Sequence, residues 1–195
     1  MIRIAEITRK TTETDITLKL DLDGSGKAKI DTGIGFLDHM LNLMSKHGQL
    51  NLEVKCKGDL EVDTHHTVED LGIVLGKAIK KALGNKSGIK RYSTVFTPMD
   101  EALSMLSIDI SGRSFLKFNV PLTREYIGDF ETETLREFFI ALTNNSNITL
   151  HINLQYGENN HHIIESIFKG FGRALKEAVT IDKNIEGVMS TKGIL

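Results

Sequence analysis

Two adjacent histidines with a glutamate three residues past the second occur twice in this chain. DTHHTVED carries His65, His66 and Glu69; 96 residues later NNHHIIES carries His161, His162 and Glu165. Residues three and four apart share a helix face, so each glutamate can approach a common point with either histidine of its cluster. Adjacent histidines diverge by about 100° around the axis, as 3.6 residues per turn requires, so the members of each pair serve different centres. Imidazole with carboxylate and no thiolate suits manganese, iron or zinc, and is unlike a cysteine-bound structural zinc site. Neither cluster is a complete ligand set, which predicts shared sites with ligands from elsewhere. His39 in GFLDHML is the first candidate in the first half. Repetition separates this pattern from ordinary hydrogen-bonded histidines, since the clusters hold four of the seven histidines in the chain. His47, before Gly48, reads as a helix C-terminal residue facing the dipole, and His151 in TLHI receives no role.

The elements that must position these clusters show as changes of hydrophobic period. Ile16, Leu18, Leu20 and Leu22 alternate with polar residues, and DGSG then leads into KAKI, which predicts a hairpin. Gly24 and Gly26 belong to that turn rather than to a phosphate loop, because no helix and no Walker lysine and hydroxyl pair follow. Phe36, Met40, Leu43 and Met44 mark a helix that Gly48 can end. LNLEVKCKGDLEV returns to strand, and a second helix runs from about His65 to near Gly84. Residues 94–120 again alternate and turn. TLREFFIAL has helical spacing that places Phe138 and Phe139 in a core, ITLHINLQYG reads as a strand, and HHIIESIFKGFGRALKEAV is a long helix. Superposing the clusters pairs Gly76 with Gly172, Ala78 with Ala174, Lys80 with Lys176 and Ala82 with Ala178. Two copies of this length predict a pseudo-symmetric pair, residues 1–93 and 94–195, within one compact unit.

Composition narrows the function classes. The chain has 195 residues, 40% of them hydrophobic, and a net charge of −2, so no general attraction to nucleic acid or anionic membrane is expected. One cysteine, Cys56, excludes an internal disulfide, and its alternating segment makes it a strand residue rather than a reactive thiol. MIRIAEITRK has no long apolar run, which predicts a cytoplasmic protein.

The ordered set TGIGFLDHML, DTHHTVEDLGIVLG, MDEAL, SGR, NNHHIIESIFKGFGRAL and STKGIL resembles imidazoleglycerol-phosphate dehydratase, essentially end to end. The resemblance implies an α/β fold, with each half an α+β two-layer of the ribosomal S5 domain 2-like type and mixed sheets packed against helices. It implies a lyase of histidine biosynthesis that removes water from imidazole glycerol phosphate to give imidazole acetol phosphate, using manganese, two ions per active site. It also implies a homo-oligomer of 24 subunits with metal sites at subunit contacts. The ligands carried over are His39, His65, His66, Glu69, His161, His162 and Glu165. Glu137 in REFF stands where many relatives have histidine; a carboxylate still binds manganese but adds negative charge. Arg91, Arg113, Lys169, Ser190 and Lys192 match positions that contact phosphate, and Glu13 in TTET matches a substrate-side glutamate that is the leading candidate for proton transfer. Two other readings use the same residues: a di-metal phosphoester hydrolase, disfavoured by diverging ligands, and a noncatalytic metal-stapled assembly, which leaves the basic phosphate contacts without purpose.

Overall fold

Alternating apolar residues need one sheet face covered, and the helices of this chain supply the cover. The computed structural model describes residues 3–195. The first half runs β1 (Ile4–Lys10), β2 (Thr14–Asp21), β3 (Ala28–Asp31), α1 (Gly35–Gly48), β4 (Asn51–Gly58) and α2 (His65–Leu83). The second half runs β5 (Tyr92–Met99), β6 (Ala102–Asp109), β7 (Phe115–Asn119), the short strands β8 (Tyr126–Ile127) and β9 (Phe130–Glu131), α3 (Thr134–Ser146), β10 (Thr149–Tyr156) and α4 (Asn160–Val179). Apart from the β8–β9 hairpin, the halves share one plan: sheet order β1-β2-β4-β3 in the first and β5-β6-β10-β7 in the second. The last strand of each sheet inserts between earlier ones, antiparallel to the second strand and parallel to the third. This is the expected α/β architecture of duplicated halves with mixed sheets against helices.

Ile16, Leu18 and Leu20 of β2 are buried, whereas Thr17, Lys19, Glu53 and Lys55 line the open face of the same sheet. Helix α2 lies on β1 and β2, α1 on β3, α4 on β5 and β6, and α3 on β7. The helices then pack across the halves, α1 against α4 and α2 against α3. Glycine allows both crossings. A Cβ on Gly172 would lie 2.3 Å from the Met44 carbonyl oxygen, and one on Gly76 would lie 2.5 Å from that of Leu142. The glycines that pair between the repeats are therefore contact points between backbones. Phe138, Phe139, Phe168 and Phe171 fill the space beneath, with neighbouring ring centroids 5.2–5.6 Å apart. Burying each such ring is worth roughly 1.5–3 kcal/mol. No helix of the described residues is long and apolar enough to cross a membrane.

Two sequence expectations change. DGSG does not close a hairpin: β2 and β3 are separated by β4, and the Asn51 side-chain carbonyl accepts from the Ser25 and Lys27 amides to hold the loop. A local turn signal cannot reveal a strand that arrives 20 residues later. Gly48 is the last residue of α1 rather than its left-handed terminator, a conformation taken by Gln49 at φ 51°. Gly48 serves the crossing instead, since a Cβ there would lie 2.8 Å from the Gly172 carbonyl oxygen. Cys56 is a buried strand residue as expected, and burial pushes its thiol up to about 12.

Candidate metal and phosphate site

Helix α4 begins where the Asn159 side chain accepts from the His161 amide at 2.9 Å, an N-cap that fixes the turn carrying the second cluster. Helical spacing then brings His161 Nε2 to 3.3 Å from Glu165 Oε2. The α1–α4 crossing adds His39 Nε2 at 3.7 Å from the same oxygen. Among the described residues, His39, His161 and Glu165 are the only set of three histidine, cysteine or acidic ligand atoms within 4.8 Å of one another. Lys169, one turn along α4, donates to Glu165 Oε1 at 2.5 Å. Burial pushes the Glu165 carboxyl up, but the Lys169 hydrogen bond and charge, with His39 and His161, outweigh it and hold the group below the usual carboxylate range. Phe36 packs edge-on against the His161 ring, centroids 5.1 Å apart. Further along α1, burial and the charges of Lys169 and Arg173 lower the His47 pKa. This weakens its expected service to the helix dipole as a cation.

The first cluster repeats the local geometry and not its surroundings. His65 Nε2 lies 3.6 Å from Glu69 Oε2, but these side chains are 41% and 45% exposed, against 9% for Glu165. Glu137 sits in the first turn of α3 and faces Arg136 at 3.5 Å, and it does not form a close set with His65 and Glu69. His151 lies on β10 beside Phe115, with ring centroids 5.9 Å apart.

The second histidine of each pair turns away from the first. Ring planes differ by 83° for His65 and His66 and by 80° for His161 and His162. His66 has Asp59 at 3.0 Å from Nδ1 and Glu13, from the β1–β2 turn, at 3.9 Å from Nε2. His162 has Glu101 at 2.7 Å from Nδ1 and Asp100 at 3.8 Å from Nε2, both acids coming from the β5–β6 turn. The hydrogen bonds to Asp59 and Glu101 are the main causes that raise the pKa values of His66 and His162. Glu101 is held at about 2, chiefly by His162 and then by the Asn159 amide. Sequence reasoning missed Asp59, Asp100 and Glu101. The available signal was MDEAL, whose acids occupy the turn of the second half that corresponds to TTET in the first. It also missed Asp70, which accepts from Arg9 of β1 and Thr14 of β2, each at 2.5 Å, and so ties both flanks of the Glu13 turn to α2.

The basic residues divide into two places. Arg91, Arg113, Ser190 and Lys192 line one concavity of about 500 Å³ with Tyr92 and Met189. Arg91 donates to Asp109 at 2.7 and 3.2 Å and to the Met189 carbonyl at 2.7 Å, which draws the C-terminal segment over the guanidinium. Lys169 is not in this group, being paired with Glu165.

The family model for imidazoleglycerol-phosphate dehydratase matches residues 32–175. The enzyme of that name from Clostridium novyi (strain NT) is 65% identical over 187 residues, covering 96% of this chain and 95% of the relative. That of Alkaliphilus metalliredigens (strain QYMF) is also 65% identical over 187 residues, covering 96% of each. The crystal structure of the dehydratase from Staphylococcus aureus subsp. aureus N315 superposes with TM-score 0.84 at 41% identity, over 92% of this chain and 99% of the other. The Pyrococcus furiosus structure, in complex with (S)-C348, gives TM-score 0.83 at 34% identity, over 97% and 100%. With the matched region spanning both acid-flanked histidine clusters, the chain belongs to the imidazoleglycerol-phosphate dehydratase family, hydro-lyases of histidine biosynthesis.

Proposed function

We propose that this chain removes water from imidazole glycerol phosphate to give imidazole acetol phosphate, with two manganese ions per active site, as a cytoplasmic homo-oligomer of 24 subunits. The observation that carries the reading is the convergence of His39, His161 and an ionised, mostly buried Glu165. Two imidazoles and a carboxylate without thiolate fit a manganese ion, and the only cysteine is buried elsewhere as a thiol. These three residues would hold one ion, with His65, His66, Glu69, Glu137 and His162 supplying the remaining ligands. The exposed first cluster supports sites completed by neighbouring subunits. Bound manganese supplies Lewis-acid stabilisation of negative charge on the substrate ring.

The chain's own groups do the rest. Arg91 and Arg113 offer planar forks that match two phosphate oxygens, and Ser190 and Lys192 close the other side from the C-terminal segment. Lys169, outside this concavity and paired with Glu165, would meet the phosphate only in a site shared with a neighbouring subunit. The substrate's reacting carbon bears a hydroxyl and has no carbonyl beside it, so its hydrogen is hard to remove without a positioned base. The Glu13 carboxylate takes that proton as hydroxide leaves the neighbouring carbon, the proton and the hydroxide depart together as water, and the resulting enol moves its hydroxyl proton to carbon to become the ketone. Incubating the protein with manganese and imidazole glycerol phosphate tests the reading. Imidazole acetol phosphate without free phosphate is expected. Release of free phosphate would indicate a hydrolase, and no reaction a metal-stapled assembly.

A further inference from the structure

We infer that Asp59 and Glu101 are positioning residues that fix the rings of His66 and His162 with Nε2 free to ligate. The inference rests on the assignment of both histidines as metal ligands. A carboxylate at 3.0 Å from His66 Nδ1 and another at 2.7 Å from His162 Nδ1 only accept hydrogen bonds, so each Nδ1 carries a proton, and the neutral ring that ligates keeps its lone pair on Nε2, which faces Glu13 at 3.9 Å in His66 and Asp100 at 3.8 Å in His162. The two acids come from different places in the repeat: Asp59 follows β4, and Glu101 lies in the β5–β6 turn. One geometry has thus been built twice from unrelated loops.

Neither acid is explained by folding alone. Asp59 Oδ1 is buried with no protein partner among the described residues, a cost that a purely structural carboxylate would avoid. Glu101 works at both ends. Its Oε1 accepts from the amides of Asn159 at 2.8 Å and Glu158 at 3.3 Å, while Oε2 accepts from His162. An amide has one acceptor and cannot serve both sides. Glutamine at this position must either release the start of α4 or present a donor to Nδ1, which favours the tautomer with Nε2 protonated.

The test uses the full chain, stripped with chelator and titrated with manganese by equilibrium dialysis. Glu101→Gln and Asp59→Asn are compared with His162→Ala, His66→Ala and the unaltered protein, with thermal unfolding followed in parallel. Glu101→Gln should weaken the ions lost in His162→Ala by about 10–100-fold, and Asp59→Asn those lost in His66→Ala, leaving the other ions unchanged. Should Glu101→Gln fail to fold, Asp59→Asn decides alone. Histidine variants that lose metal while both isosteric variants bind it normally would overturn the positioning role, including the case where only the melting temperature falls. Histidine variants that bind manganese normally would overturn the ligand assignment itself, and the inference with it.

Discussion

His161 and Glu165 meet a third ligand atom within their own chain, whereas His65 and Glu69, set by the same helical spacing, do not. Both clusters start a helix that crosses a helix of the other half. At the α1–α4 crossing, His39 points into the cluster and Lys169 neutralises Glu165. At the α2–α3 crossing, the corresponding position on α3 holds Glu137, which pairs with Arg136 instead. A second carboxylate brought to Glu69 would face like-charge repulsion, and among the described residues Glu69 has no lysine ion pair to offset it. Duplicated backbone geometry has not duplicated the electrostatics. The difference teaches that one cluster is pre-assembled in the single chain, and the other is left open among the described residues.

The strongest test of that difference removes one carboxylate from each cluster in metal-free protein. Glu165→Ala leaves the largely buried Lys169 ammonium unpaired and should destabilise the chain by about 3 kcal/mol, read by denaturant unfolding. Glu69→Ala, at an exposed position, should stay within about 0.5 kcal/mol. Equal losses would end the claim of pre-assembly.

The concavity lined by Arg91, Arg113, Ser190 and Lys192 should be separable from both clusters. Arg91→Ala removes the fork on which the C-terminal segment rests, and affinity for substrate and inorganic phosphate should fall roughly 10- to 100-fold, since each charge-assisted bond is worth about 1.5–3 kcal/mol. Manganese content, measured by metal analysis, should not change. Loss of metal would mean that the two places are one.

Gly172→Ala and Gly76→Ala probe the two crossings. Each new methyl would overlap a carbonyl oxygen, and each should cost about 1–3 kcal/mol in thermal unfolding. Only Gly172→Ala should also weaken manganese binding at the second cluster, because only that crossing delivers His39. The smallest expected effect is a gain: Glu137→His replaces one of two carboxylates with imidazole and should tighten manganese at the first cluster about tenfold, near 1.4 kcal/mol. Weaker binding in a titration would show that the carboxylate is the better ligand here.

Much of the fold and part of the site were legible in the residues. Period and glycine placement marked four helices and the duplicated plan, because burial of one face imposes a local repeat on the sequence. The DGSG turn misled, since strand order depends on which distant strand arrives to pair. His47 misled for a related reason: its helix-end position is local, while the Lys169 and Arg173 charges that lower its pKa come from another helix.

The sequence by itself determined the contacts that lie within one or two helical turns. His65 with Glu69, His161 with Glu165, and the divergence of each histidine pair follow from 3.6 residues per turn and need no tertiary information. Only the tertiary structure decided that His39 joins a cluster 122 positions away, that Arg91 and Arg113 share a concavity with Ser190 and Lys192, and that Asp59 and Glu101 stand behind the second histidines. These depend on which helices cross and which loops fall at one edge. That outcome is set by packing of the whole core, where Gly48 and Gly172 let two backbones touch, and no short stretch of residues encodes it.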